Sequence, residues 1–137
     1  MDAANDTYVI TAADLVPSTW TGRAWSAQLR AWENVTNRDL TPGNPWSPKY
    51  DYRILRGARI RVRHTGGGLV SGVRVILFVI VDPVHTSDII VLKDSYQSAS
   101  RLVNWLGSTP LAAGIGWRIV QGGVAAGDSV EMCATYE

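Results

Sequence analysis

Nine residues from Val73 to Val81 carry one charge, Arg74, and are otherwise wholly apolar. In an extended strand Val73, Val75, Leu77, Val79 and Val81 lie on one face and Ile76, Phe78 and Ile80 on the other. An antiparallel strand with one face in water alternates apolar with polar residues, and this one does not. It is therefore a central strand with its second face covered, whether by a helix, a long loop or another subunit. Asp82-Pro83 ends it, because proline cannot donate to a ladder. The run is far short of the ~20 residues a membrane-spanning helix needs.

Other segments have the period of half-buried strands. Ala58, Ile60 and Val62 alternate with Arg59, Arg61 and Arg63, and Gly66-Gly67-Gly68 follows as a turn. Val130, Met132, Ala134 and Tyr136 alternate with Glu131, Cys133 and Thr135. Shorter strands are expected over Ile89–Leu92 and residues 117–120. Tyr96, Ala99, Val103 and Leu106 recur near a 3.6 period behind the potential cap Asp94 or Ser95, which predicts a short helix there. Trp25 to Trp32 fits either period. Many strands, one or two short helices in loops, and Gly/Pro-rich turns imply an all-β chain folded as an antiparallel β-sandwich.

The chain has 137 residues, enough for one domain with a substantial core. Its single cysteine, Cys133, excludes an internal disulfide framework and a cysteine zinc cluster. The start has neither the basic nor the apolar region of a signal peptide, so the sequons at Asn5 and Asn34 read as coincidence. Net charge is only +1, but residues 51–74 hold six arginines against one acid, net +5, while residues 75–137 hold three bases against six acids, net −3. Eleven of the thirteen basic residues are arginine, the cation suited to bidentate contact with phosphate or carboxylate. Nucleic acid, or the acidic half of a neighbouring copy, would answer that asymmetry.

Leu40 to Pro83 adds a set of ordered cues. Pro42-Gly43, Pro45-Trp46 and the spaced pair Tyr50 and Tyr52 lead into the arginine strand; Thr65 to Gly72 is a Ser/Thr/Gly turn, and Val73 to Pro83 runs into an Asp-Pro corner. Ser95-Tyr96 to Trp105 and Gly127-Asp128-Ser129-Val130-Glu131 continue the series. In that order these features resemble the shell-domain jelly rolls of small icosahedral RNA virus coat proteins, of the tombusvirus-like or satellite virus type. The resemblance spans about residues 8–137 and implies one jelly-roll shell domain over 1–137 with a short N-terminal extension at about 1–7. It also implies a structural capsid protein, located in the virion, whose many copies self-assemble around single-stranded RNA. Such proteins commonly have a basic N-terminal arm, whereas the first 22 residues here contain no lysine or arginine. Genome contact is then left to the folded surface or to an arm absent from this chain; otherwise the jelly roll is of another kind.

Arg59, Arg61 and Arg63 project from one strand face about 6.6–6.8 Å apart, close to the phosphate spacing of a nucleic-acid strand. With Arg53 and Arg56 they form the expected nucleic-acid-binding group; the alternative is a row paired to Asp and Glu. Trp46, Trp105 and Phe78 are expected at subunit interfaces, where aromatic anchors concentrate. The family resemblance implies calcium held between subunits by acidic residues such as Asp82, Asp88 and Asp128, although without a dense acidic loop each also reads as a turn aspartate. His64 and His85 have no acid or nucleophile at motif spacing, so the chain is not expected to be an enzyme. A second reading is a lectin-like binding module, which would need two or three of the six tryptophans exposed on one face.

Overall fold

A computed structural model describes residues 1–15, 20–26, 30–35, 53–81, 89–111, 113–120 and 122–137, with the side chains of residues 20 and 35 excepted. The described residues form nine strands: β1 (Asp2–Val9), β2 (Trp20–Ser26), β3 (Ala31–Val35), β4 (Ile54–Arg63), β5 (Val73–Ile80), β6 (Ile89–Gln97), β7 (Val103–Pro110), β8 (Gly114–Val120) and β9 (Ser129–Tyr136). The only helical element among them is a 3-10 turn at Ala12–Leu15. No helix among the described residues is long and apolar enough to cross a membrane.

The strands make two antiparallel sheets, β1-β9-β4-β7 and β3-β2-β8-β5-β6. First pairs with last and so on inward: β1 with β9, β2 with β8, β4 with β7 and β5 with β6. These four pairs fall alternately in the two sheets, so the chain is one long antiparallel ribbon rolled into a sandwich. That is a jelly roll. β3 is an added edge strand beside β2.

The core lies between the sheets. β4 sends in Leu55, Ala58, Ile60 and Val62, and β9 sends in Val130, Met132, Ala134 and Tyr136. Facing them are Val73, Val75, Leu77 and Val79 of β5 and Ile115, Trp117 and Ile119 of β8. A bulge between Leu55 and Gly57 lets Leu55 and Ala58 both face inward, three residues apart. Arg56 thereby joins Arg59, Arg61 and Arg63 on the outer side.

The second face of β5 is covered, as its composition requires. Ile76, Phe78 and Ile80 form a second buried cluster with Ala24 and Ala113, outside the five-stranded sheet. The Phe78 ring lies across β8 where residue 116 has no side chain: a Cβ on Gly116 would stand 2.3 Å from its tip. The Arg118 guanidinium sits 5.3 Å from the same ring.

Polar side chains tie sheet to sheet. Asp6 on the inner side of β1 takes Arg23 of β2 through Nε at 2.9 Å and Nη2 at 3.3 Å. Gln97, at the end of β6, is 1% exposed. Its Oε1 accepts from the Val62 N–H at 2.8 Å, and its Nε2 donates to the Val62 and Val70 carbonyls at 2.7 and 2.8 Å. The β4–β7 ladder stops at Ile60 and Val103, so the Gln97 amide stands where the next peptide unit of β7 would have been.

Two expectations are corrected here. The helix predicted behind Ser95 does not form: β6 runs to Gln97, a turn closes through the Ser98–Arg101 bridge, and β7 begins at Val103. The four apolar residues share no face, since Val103 is buried while Tyr96 and Leu106 are 67% and 78% exposed. The expected extension at about 1–7 is instead most of β1, paired residue by residue with β9 from Asp2–Tyr136 to Val9–Ser129. Trp25 belongs to a strand rather than a helix.

Candidate nucleic-acid interface

The outer face of the four-stranded sheet carries the arginine row. Arg59, Arg61 and Arg63 stand on β4 with β9 on one side and β7 on the other, as the alternation of β4 requires. What the strand period does not contain is the register of its neighbour. Arg61 faces Glu131 directly across the ladder, and Arg63 lies on the diagonal. Arg61 Nη2 is 2.7 Å and Arg63 Nε 3.2 Å from the two Glu131 oxygens. Arg56 Nε donates to Glu137 at 2.6 Å. Arg53 pairs with Asp2 and stacks 4.6 Å from the centre of the Tyr136 ring.

Arg74, on the other sheet, is bidentate to Asp94 at 2.8 and 2.6 Å. That pairing holds the Asp94 carboxyl below its usual range, its largest cause being the hydrogen bond from Arg74. Five of the six arginines between residues 51 and 74 therefore meet a carboxylate of their own chain. Arg59 does not. These pairs are partly exposed and contribute little to stability, but they set where positive charge remains.

Arg59 faces Asn104 on β7. It borders two shallow depressions on the sheet face, of about 210 and 230 Å³, and a larger groove of about 580 Å³. The groove runs where β6 and β7, each the outer strand of its sheet, come together around the Ser98–Arg101 turn. Lys93, Arg101 and Tyr96 also line it. Sequence reasoning missed these three because it placed Tyr96 and Arg101 on a helix and ended the strand before it at Leu92, short of Lys93. A strand reading of residues 93–97 would have put Lys93 and Ser95 on one side and Asp94 and Tyr96 on the other.

The remaining expected site residues fall elsewhere. Phe78 is wholly buried within the chain and so is not presented to another subunit. Trp105 faces inward opposite Ala58 and packs half-buried on the core; a Cβ at Gly107 would come 2.6 Å from its ring. Asp128 is 3% exposed and clamps loops: its oxygens accept from the Thr65 and Ala125 N–H groups at 3.2 and 2.8 Å. His64 Nδ1 lies 3.5 Å from the same carboxylate, a proximity that sequence spacing did not reveal. Among the described residues no three His, Cys, Asp or Glu side chains lie together as a metal site would require. Trp46, Asp82, Asp88 and His85 lie outside the described residues.

The four tryptophans whose side chains are described are turned inward. Trp117 is wholly buried with Tyr8 edge-on at 6.2 Å, and Trp25 and Trp32 meet at a tilt, 5.6 Å apart, while packing on the core. Trp32 Nε1 donates to the Asn5 carbonyl at 2.8 Å.

No family model and no curated protein matches the chain. Among solved structures, a chain from a structure of infectious bursal disease virus, Gx strain, is similar at 13% identity and a TM-score of 0.33. The overlap covers 95% of this chain and 33% of that one, so the present chain spans about a third of its length. A likeness this distant carries no weight for function; the jelly roll stands on its own strand order.

Proposed function

We propose that this chain is a structural coat protein whose copies close into a small icosahedral shell around single-stranded RNA, as part of a virion. A jelly roll hosts many functions, so the reading has to rest on the surface. The observation that carries it is β6. Among the described residues this nine-residue strand is the outer strand of its sheet, yet it shows water Ile90 and Val91, each about half exposed, beside Tyr96. Natural sheets protect such edges with charge, proline or cover, because an open apolar edge recruits another chain. The first half of β6, Ile89–Leu92, is left apolar ahead of Lys93 and Asp94, and an apolar stretch of open edge suits a protein that finishes its surface with copies of itself. Val9 and Leu106, 57% and 78% exposed on the outer face of the other sheet, supply further apolar contact.

The lectin-like alternative draws less support, because Trp25, Trp32, Trp105 and Trp117 pack toward the core instead of sharing an open face.

The test is size-exclusion chromatography with negative-stain electron microscopy across salt and pH. Closed, symmetric particles are expected, and Ile90→Asp with Val91→Asp should hold the protein as a folded monomer. A wild-type chain that stays monomeric at high concentration under all conditions would overturn the proposal.

A further inference from the structure

Of the lysines and arginines among the described residues, three have side chains with no ion pair, hydrogen bond or ring contact: Arg59, Lys93 and Arg101. They come from β4, β6 and the β6–β7 turn, and all three line the one groove of about 580 Å³. Among the described residues no carboxylate lines it. Asp94, adjacent to Lys93, projects from the opposite side of β6 and is occupied by Arg74. Among the described residues the side chains with unspent positive charge thus stand in one place.

We propose that this groove, and not the arginine row, is where the protein grips single-stranded nucleic acid. The inference rests on the coat-protein reading and names its contact surface. Three cations spread along an open trough suit a ligand with charges in succession better than a compact anion. Each can meet a separate phosphate, and counterion release from the strand then drives binding. The Asn104 amide and the Ser95 hydroxyl, also on the groove wall, are donors of the kind that position phosphate oxygens. Tyr96 alternates onto the Asp94 side of β6, beside Arg74, and meets the groove only at its rim; 67% exposed, its ring takes a base from a strand that runs over that rim. Stacking separates nucleic acid from other polyanions and makes the contact tolerant of sequence. Arg61 and Arg63 would have to surrender Glu131 before meeting a phosphate; Arg59 surrenders nothing.

The experiment is fluorescence anisotropy of a short labelled oligouridylate against salt, with electron microscopy of each variant beside it. With three phosphates neutralised on a single strand, log K should fall against log salt with a slope of about −2. Arg59→Ala, Lys93→Ala and Arg101→Ala should each flatten that slope by about 0.7, and Arg101→Glu should flatten it further. Tyr96→Ala should weaken binding about five- to hundredfold with the slope kept. Arg61→Ala with Arg63→Ala, which leaves Glu131 uncompensated, should lower affinity only slightly and less than any groove variant.

If Arg61→Ala with Arg63→Ala abolishes binding while the groove variants do not, the groove assignment falls and the coat reading stands. If heparin binds as well as the oligonucleotide and Tyr96→Ala changes neither, the groove is a sulfated-glycan site and the assignment to nucleic acid falls. If the wild type forms closed shells but binds no oligonucleotide at low salt, the groove proposal falls alone. If oligonucleotide binding follows the groove variants in a protein that never assembles, the coat reading falls alone.

Discussion

Replacing Gln97 by leucine tests how the two sheets are held together. The substitution preserves approximate volume and removes three hydrogen bonds of 2.7–2.8 Å from a side chain that is 1% exposed. The consequences for the partners differ. The Val62 carbonyl keeps a bond, because the Val70 N–H also donates to it at 2.9 Å. The Val62 N–H loses its partner beyond the end of the β4–β7 ladder, and the Val70 carbonyl loses the Gln97 amide. A buried polar group left unsatisfied costs about 1–3 kcal/mol, so two give roughly 2–6 kcal/mol. Leucine returns about 1 kcal/mol or slightly more, since its apolar surface replaces an amide. The expected net loss is about 1–5 kcal/mol, a large part of the ~5–15 kcal/mol typical of a domain.

Urea unfolding followed by tryptophan fluorescence should show a lower midpoint with an unchanged m-value. Native-state hydrogen exchange should show the Val62 amide losing protection ahead of the rest of β4. A loss under about 1 kcal/mol, with the Val62 amide still protected, would refute the reasoning: something else would then be satisfying that strand end.

Two further outcomes follow from local geometry. Gly116→Ala sets a methyl group 2.3 Å from the Phe78 ring and 3.0 Å from the Arg23 carbonyl, so it should cost about 1–3 kcal/mol in the same unfolding assay, with Phe78→Leu partly rescuing it. Tyr8 is raised to about 12, mainly by burial and then by its hydrogen bond to Asp14. Its neutral form is favoured in the folded state, so this stability is complete below pH ~10 and is lost as pH rises from there through about 12. Ultraviolet titration of tyrosinate should resolve one late-ionising residue, moved earlier by Asp14→Asn; if all five tyrosines titrate together, the assignment fails.

Much of the sandwich was readable because its central strands announce themselves locally. The doubly apolar β5 implied a covered second face, and the alternation in β4 and β9 assigned each side chain to core or exterior. β6 and β7 were misread for a physical reason. Gln97 faces inward as a polar residue, Leu106 faces outward as an apolar one, and a bulge between β5 and β6 shifts the alternation. Pattern reasoning presumes that inside means apolar. The arginine row was legible for the same local reason that its neutralisation was not. Glu131 meets Arg61 only because β9 lies beside β4 in one register, and nothing near either residue specifies that. The groove needed more still: three cations from three elements, one of them on a turn closed by Ser98 and Arg101.

The rolled ribbon also dictates a timetable. β9 lies between β1 and β4, so the four-stranded sheet has no centre until the strand ending at Tyr136 has been made. β1, made before the other strands described, has β9 as its ladder partner and must wait for it. Loop-closure entropy over nearly the whole chain precedes any gain from that pairing, which makes folding slow and late relative to synthesis. Through that wait β4 and β1 both present unpaired backbone, at the ribosome where sibling chains are being made alongside. A ribosome-stalled chain ending before Ser129 should therefore be protease-sensitive throughout β1 and β4 even though every residue of those strands is already outside the tunnel.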